Sequence, residues 1–255
     1  MSMRLTVTAL AAAFAALSSA QFNNDVLHLR TLNGASGSSL TVTNSFPGLV
    51  EFNESNVDNT TAVPFANQNN WNLSPDGVTD TSFATTTSWS LSFDLTLSAY
   101  GTAGLDQEAG FWLANSGGSG QPGQFIVKSD GELVQFGGNL AFHDFVLGGH
   151  SAGNPNNYQL GTNIFMSMSY NALTGIETSS VAYGNDTSTF SAATTFVGGY
   201  NVGGYALNQV DTTLGVANGG DAAFSNIVAA PEPASMAALA LGAVALIRRR
   251  KANRA

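Results

Sequence analysis

The sequence predicts an all-β protein, folded as a two-sheet antiparallel sandwich of the jelly-roll kind. The strongest evidence is residues 89–99, where every odd position is apolar and every even position is polar. A period of two over that length indicates a half-buried strand, since a helix would scatter the apolar residues around its circumference. Residues 125–136 predict a hairpin, because Asp130-Gly131 supplies the positive φ angles of a tight turn.

Further strands are predicted where short apolar or alternating runs are bounded by glycine, asparagine or proline. These runs cover residues 39–44, 109–115, 141–147, 164–170, 176–183, 205–210 and 222–228. Residues 53–82 are rich in asparagine, with scattered proline and glycine, and predict a long surface loop. The core is therefore expected to lie between sheets rather than against helices.

The charge balance of residues 21–230 excludes whole classes of partner. This region holds 16 Asp and Glu residues but only two basic residues, Arg30 and Lys128, for a net charge of −14. A surface of that sign repels nucleic acid and anionic lipid, so DNA or RNA binding is excluded. The chain has no cysteine, which rules out a disulfide framework, a thiolate nucleophile and a cysteine-based metal site.

Residues 1–20 have the organisation of a secretory signal peptide. Arg4 gives a short positive leader, residues 5–17 form an apolar core, and Ser18-Ser19-Ala20 is a small-residue cleavage site. This pattern predicts export and removal by signal peptidase after Ala20. An uncleaved transmembrane anchor is the alternative, which the short apolar run disfavours.

The C-terminal segment has three parts in order: an extended Pro231-Glu232-Pro233, an uncharged apolar run at 234–247, and a basic cluster that begins with Arg248, Arg249 and Arg250. Proline fixes φ and removes amide donors, so the first part stays extended. The run predicts a helix, and its 14 residues fall short of the ~20 that span a bilayer core. The basic cluster suits cytoplasmic headgroups. A buried helix of the main domain is the alternative, but the run has no polar face.

This tail resembles a PEP-CTERM sorting signal. The resemblance implies transient insertion into the inner membrane, cleavage by an exosortase at or near residues 231–233, and delivery to the cell envelope or the exterior. The chain is therefore expected to divide into a signal peptide (1–20), a β-sandwich domain (21–230) and a sorting segment (231–255).

Three segments, 89–115, 123–138 and 158–183, resemble the concanavalin A-like lectin and glucanase sandwich, which implies that fold and a role with carbohydrate. They include the runs Glu-Ala-Gly-Phe-Trp-Leu, Gln-Phe-Ile-Val-Lys-Ser-Asp-Gly-Glu-Leu and Met-Ser-Met-Ser-Tyr. Glucanases of this fold use a Glu-x-Asp-x-x-Glu strand, which places an acid/base and a nucleophile on one face. The nearest run here, Asp106-Gln-Glu108, has no third carboxylate two or three residues on. We therefore predict a non-enzymatic protein, with a glycoside hydrolase or a purely structural matrix protein as alternatives.

A sugar-binding surface is predicted on the strand at 109–115 and the residues before it. Asp106, Glu108 and Trp112 share one face by alternation, while Phe111 and Leu113 share the other and form the natural core side. Carboxylates that accept sugar hydroxyls beside an aromatic ring are the usual chemistry of carbohydrate sites. The alternative is a solvated face with an incidental tryptophan. If the site exists, its expected ligand is extracellular polysaccharide.

Other candidate chemistry is sparse. Residues 149–153 read Gly-His-Ser-Ala-Gly and match the G-x-S-x-G nucleophile elbow, but Asn-Pro-Asn-Asn-Tyr follows and cannot begin the helix that the elbow needs. His143 shares a strand face with Phe145 and is expected to be a hydrogen-bonded core residue. His28 and His150 are too isolated in sequence to predict a metal site.

No cofactor is expected, although calcium is an alternative. Four aspartates could offer oxygen ligands, but no Asp-x-Asp-x-Asp loop occurs. They are Asp76, Asp80, Asp106 and Asp211.

Overall fold

The computed structural model describes residues 22–61, 63–102, 104–115, 122–147, 158–194, 196 and 198–231. Its strands in chain order are β1 (Asn24–Asn33), β2 (Ser39–Asn44), β3 (Leu49–Ser55), β4 (Ala66–Ser74), β5 (Trp89–Tyr100), β6 (Gln107–Asn115), β7 (Gly123–Lys128), β8 (Leu133–Phe136), β9 (His143–Asp144), β10 (Asn163–Asn171), β11 (Ile176–Tyr183), β12 (Asp186–Ala193), β13 (Tyr200–Gln209) and β14 (Gly219–Pro231). The described residues contain no helix, and the predicted all-β class is confirmed.

The strands form two antiparallel sheets of seven strands each. Sheet A has the order β1-β4-β13-β6-β7-β8-β9, and sheet B has the order β12-β11-β10-β5-β14-β3-β2. The inner faces of the two sheets pack together, which makes the predicted sandwich. In each sheet the outer face is the one turned away from the other sheet.

The core is built on the alternating strand β5. From Trp89 to Leu97 its apolar residues are buried, while the polar residues between them are partly exposed. Phe93 lies at the centre, with its ring 4.4 Å from Phe111 of sheet A and 5.2 Å from Phe224 of β14. Burial of each such side chain contributes roughly 1.5–3 kcal/mol, so this aromatic group joins the two sheets.

Several predicted strands are confirmed, and two have the predicted bounds, namely β2 and β11. The predicted strand at 141–147 is reduced to the two residues of β9, while β13 and β14 begin earlier than predicted. Four strands were not predicted: β1, β3, β4 and β12.

The prediction of a surface loop at 53–82 is wrong. Within that range β4 lies between β1 and β13 in sheet A, and every residue from Ala66 to Ser74 is buried. The strand escapes prediction because it carries amide side chains on both faces, so no apolar period is visible. Its amides instead find hydrogen-bond partners inside the fold, which overrides the low strand propensity of asparagine.

A buried polar network joins the sheets around Glu54, whose side chain is fully buried. The Glu54 carboxylate accepts hydrogen bonds from Ser38 Oγ at 2.7 Å and Asn67 Nδ2 at 2.8 Å, and longer ones from Asn69 and Asn208. Arg30 Nη2 lies 3.2 Å from Glu54 Oε1. We call these residues the Glu54 network. A buried carboxylate is tolerated only when its lone pairs are satisfied in this way.

Arg30 reaches this network from a bulge in β1. The register between β1 and β4 shifts between His28 and Leu32, and Arg30 itself has a φ of 53°. Bulges of this kind redirect a side chain out of the regular alternation. Simple alternation would place Arg30 on the same face as His28, whereas the bulge brings it to Glu54.

A carboxyl pair on the outer face of sheet B gives the fold a pH dependence. Burial first, and then the neighbouring Glu51 carboxylate, raises the pKa of Asp221 to about 6 from its usual 3.8. The folded state therefore binds this proton more tightly than the unfolded chain does. The Asp221 carboxyl therefore stabilises the folded state at low pH. Its contribution to the free energy of unfolding is lost as the pH rises from about 4 through about 6.

Asp221→Asn should accordingly raise the urea midpoint at pH 7 and leave it nearly unchanged below pH ~4, because asparagine imitates the protonated carboxyl. Urea melts at both pH values measure this. Asp186→Asn at an exposed position of β12 controls for the change in net charge. An equal gain from Asp221→Asn at both pH values would contradict the pKa argument.

Candidate functional site

The predicted residues Glu108 and Trp112 lie on the outer face of sheet A. Alternation along β6 puts Ala109, Phe111 and Leu113 on the inner face, where they are buried in the core. Glu108 and Trp112 are each partly exposed. The strand therefore has the orientation that was predicted, while a binding role for these residues stays a prediction.

Tyr205 of β13 joins these two residues, and it was not predicted. Its hydroxyl donates a hydrogen bond to Glu108 Oε2 at 3.1 Å, and its ring centroid lies 5.3 Å from that of Trp112. Tyr205 pairs with Gly110, the position between Glu108 and Trp112. The side chain crosses the glycine and touches both neighbours.

Burial sets the protonation behaviour of this pair. Burial raises the pKa of Glu108, and the hydrogen bond from Tyr205 opposes that rise. The pKa of Tyr205 is raised well above its usual value, by burial and by the Glu108 carboxylate. Tyr205 is thus a neutral hydroxyl that donates its one proton to Glu108. Because Tyr205 is fully buried, it positions Glu108 and Trp112 and does not face solvent itself.

Asp106 lies next to this group, and together with burial its charge helps to raise the pKa of Glu108. It lies one residue before β6, and its nearest ionic partner is Lys128 Nζ at 3.9 Å. Lys128 is also 3.7 Å from Asp130 and 2.9 Å from Glu132. Asp106 therefore belongs to an exposed acidic cluster around one lysine, beside the Glu108–Tyr205–Trp112 group.

Amide side chains of β4 continue the outer face next to Tyr205. Asn70 pairs with Tyr205 and Asn72 with Gly203. Gln68 Nε2 donates to Asn70 Oδ1 at 2.9 Å. Gln68, Asn70 and Asn72 form a line that we call the amide ladder. The sequence signal for this strand was the Asn-Gln-Asn-Asn-Trp-Asn run. It could not be recognised because the amides that alternate with the ladder belong to the Glu54 network, so both faces of the strand are polar.

A third group lies at the β1 end of this face, around Asp80. His28 Nε2 is 2.9 Å from Asp80 Oδ1, and Asn201 Nδ2 donates to Asp80 Oδ2 at 3.2 Å. The side chains of His28 and Asp80 are 37% and 24% exposed. We call these three residues the Asp80 cluster. Because His28 pairs with Asn70, the cluster adjoins the amide ladder.

The strand register aligns parts of these groups into one row. Asn72 pairs with Gly203 and Gly203 with Trp112, so the row runs across β4, β13 and β6. Two strand spacings of about 4.8 Å separate the outer two positions. Glycine at 203 leaves the middle of the row without a side chain. Gly203 is itself buried, and a Cβ there would lie 1.8 Å from the Trp71 carbonyl oxygen, so the glycine permits the close approach of β4.

The four aspartates considered for calcium each have separate partners. Asp76 accepts hydrogen bonds from the backbone amides of Val78 and Thr79. Asp211 accepts a hydrogen bond from the side-chain hydroxyl of Thr102. Among the described residues, no three His, Cys, Asp or Glu side chains are grouped so that they could hold a metal ion.

The remaining candidates lie elsewhere. His143 stacks on Phe190 of sheet B, with the ring centroids 4.0 Å apart, and contacts Phe145, on the inner face. The Gly149–Gly153 motif and His150 lie outside the described residues.

A pocket of about 290 Å³ opens beside Asp106, lined among others by Tyr100, Thr102 and Gln107. It has no carboxylate or imidazole in its described wall, so we assign it no chemistry.

Residues 229–251 match the PEP-CTERM protein-sorting motif. This match indicates an exported protein with a C-terminal sorting signal, as the tail predicts. The match begins inside β14, which ends at Pro231. Among curated proteins, none matches this chain. The described part of the chain has no helix long and apolar enough to cross a membrane.

The fold is similar to that of solved carbohydrate-related proteins. A family 7 alginate lyase, A1-II′ with bound substrate, has a TM-score of 0.51 at 13% identity, over 82% of this chain and 92% of that one. An alginate lyase of polysaccharide lyase family 7 gives 0.49 at 17% identity, over 76% and 82%. Lectin UEA-II with galactose gives 0.40 at 12%, over 81% and 98%. The first likeness confirms the concanavalin A-like sandwich and says nothing of activity.

Proposed function

We propose that this exported protein acts in the cell envelope or extracellular matrix as a non-enzymatic, polysaccharide-binding sandwich. The observation that carries the proposal is the Glu108–Tyr205–Trp112 contact on the outer face of sheet A. It holds a part-exposed carboxylate acceptor and a part-exposed indole ring side by side over the buried Tyr205. Sugars present hydroxyl groups at their edges and apolar C–H groups on their faces, so this combination suits them.

A second polar group on the same face supports the proposal. The Asp80 cluster places the part-exposed side chains of His28 and Asp80 at the β1 end, across four adjacent strands from β6. The amide ladder between them is buried. A chain of several sugars can reach both exposed groups and is therefore a better fit than a single sugar.

Trp112→Ala should weaken binding of extracellular polysaccharide about tenfold or more, because a stacking aromatic is lost. Calorimetry or pull-down of the 21–230 domain, with and without calcium, measures this against polysaccharide from the producing cells. Phe165→Ala is the matched control, since it removes an aromatic that is 41% exposed on the outer face of sheet B. Undiminished binding by Trp112→Ala would place the site elsewhere on the domain. No binding by the wild type would leave a purely structural role.

A carbohydrate-active enzyme is the second candidate function, because His28 and Asp80 form a hydrogen-bonded pair on the outer face of sheet A. A carboxylate that orients an imidazole is a common way to position a general base. The binding samples should therefore also be assayed for shortened chains and new chain ends. If the wild type forms such products and His28→Ala does not, the protein is an enzyme and not only a binding protein.

Export and sorting predict two processing steps. In the exported protein, residues 1–20 should be absent, removed by signal peptidase, and the chain should end at or near Pro231–Pro233 after exosortase cleavage. Mass spectrometry of envelope-associated protein measures both ends. Recovery of residues 248–255 on most molecules would refute processing of the tail.

A further inference from the structure

Hydrogen-bond acceptors outnumber donors around Asp80. The Asp80 carboxylate already holds His28 and Asn201. Among the described residues, the amide oxygens of Asn72 and Asn201 are buried without a hydrogen-bond partner, and Asn72 is only 4% exposed. A buried acceptor without a donor is unfavourable, so this region is short of donors. The Asp80 side chain is 24% exposed, so a ligand that supplies hydroxyl donors can bind its carboxylate, whereas a ligand that brings further acceptors is disfavoured.

Both basic side chains of residues 21–230 are already neutralised. Arg30 is held by Glu54 between the sheets. Lys128 lies within 3.9 Å of three carboxylates. Of the described side chains on the outer face of sheet A, His28 can become cationic in addition to Lys128, and His28 faces Asp80. An anionic group bound here would therefore meet carboxylates and find no free counter-charge.

We propose that the outer face of sheet A selects uncharged polysaccharide and rejects chains with uronate or sulfate groups, and that Asp80 is the residue that sets this choice. The inference rests on the proposed function, because it specifies the ligand of the same face. It also separates this protein from the alginate lyases whose fold it shares, since alginate is a polyuronate. Like charges brought together at an interface disfavour the wrong partner, whereas sugar hydroxyls can donate to the exposed part of the Asp80 carboxylate.

The test divides extracellular polysaccharide of the producing cells by anion exchange into a neutral and an acidic fraction. The wild-type 21–230 domain should bind the neutral fraction about tenfold or more tightly than the acidic one. The discrimination should shrink as salt rises from ~0.01 to ~1 M, because screening weakens repulsion. Equal or tighter binding of the acidic fraction would overturn the inference and keep the proposed function. Binding of neither fraction would overturn both.

Asp80→Asn tests the assigned residue. It should lower the ratio of neutral to acidic binding about tenfold, because it removes the charge while keeping the size of the side chain. Asp94→Asn is the matched control, as Asp94 accepts a similar hydrogen bond from Asn226 at 2.7 Å in sheet B. It makes the same change in net charge and should leave the ratio unaltered. An equal effect of both variants would mean that net charge alone decides, and would refute the role of Asp80.

Folding is controlled with a second variant. Asp106 is 47% exposed, so Asp106→Asn should fold normally while removing a carboxylate from Lys128. It should move the ratio in the same direction as Asp80→Asn by increasing the positive charge available to an anion. If Asp80→Asn unfolds, no shift of the ratio by Asp106→Asn would refute the electrostatic basis of the selection.

Discussion

Phe93→Ala is expected to lower the free energy of unfolding by about 3–5 kcal/mol, because it removes a large core side chain and leaves a cavity. Phe93 is fully buried, and its ring contacts Phe111, Phe224 and Trp71. These neighbours come from both sheets, so the cavity would open where the sheets meet. Urea melts of the 21–230 domain measure the loss.

Ser92→Ala is the matched control for this prediction. Ser92 precedes Phe93 in β5 and lies on the outer face, where it is partly exposed. Its replacement should change the free energy of unfolding by no more than about 0.5 kcal/mol. If the two variants lost the same stability, the inward orientation of Phe93 would be wrong.

Glu54→Ala should cost about 3–5 kcal/mol, because Arg30 would remain between the sheets without its counter-charge. Four side-chain donors would also lose their acceptor at the same time. Glu51→Ala on the outer face of the same strand is the control. It should be neutral or slightly stabilising, since Glu51 raises the pKa of Asp221 by repulsion.

A double variant distinguishes the network from a simple cavity. If charge pairing dominates, Arg30→Met combined with Glu54→Leu should be less destabilised than the sum of the two single changes. Additive losses in the urea melts would show instead that the two residues act independently.

The fold was largely predictable because its central strands alternate. In β5 the inner and outer faces differ sharply in polarity, and the pattern can be read without knowledge of the partner strands. The strand β4 lacks that contrast, since its inner amides bind Glu54 and its outer amides form the ladder. Its polar residues are indistinguishable from those of a loop until the partners are known.

The candidate site was predictable only where it lies on one strand. Alternation placed Glu108 and Trp112 on one face correctly, but Tyr205 is 97 residues from Glu108. Asp80 and Asn201 are 121 residues apart. Their approach depends on the order of strands in sheet A, which the sequence pattern does not contain. Asp106 lies just before β6, beside Lys128, and its role in binding stays a prediction.

The position of β14 has a mechanical consequence. The strand is the last in the described chain, it lies between β5 and β3, and its end at Pro231 pairs with Trp89. A pulling force applied through the tail would thus enter a central strand, and eleven of its thirteen residues pair with β5. Force along that axis loads many hydrogen bonds at once, whereas an edge strand such as β2 could be peeled away one bond at a time. While tethered by its tail, the domain should unfold slowly under flow or tension, because forced unfolding follows the height of the unfolding barrier.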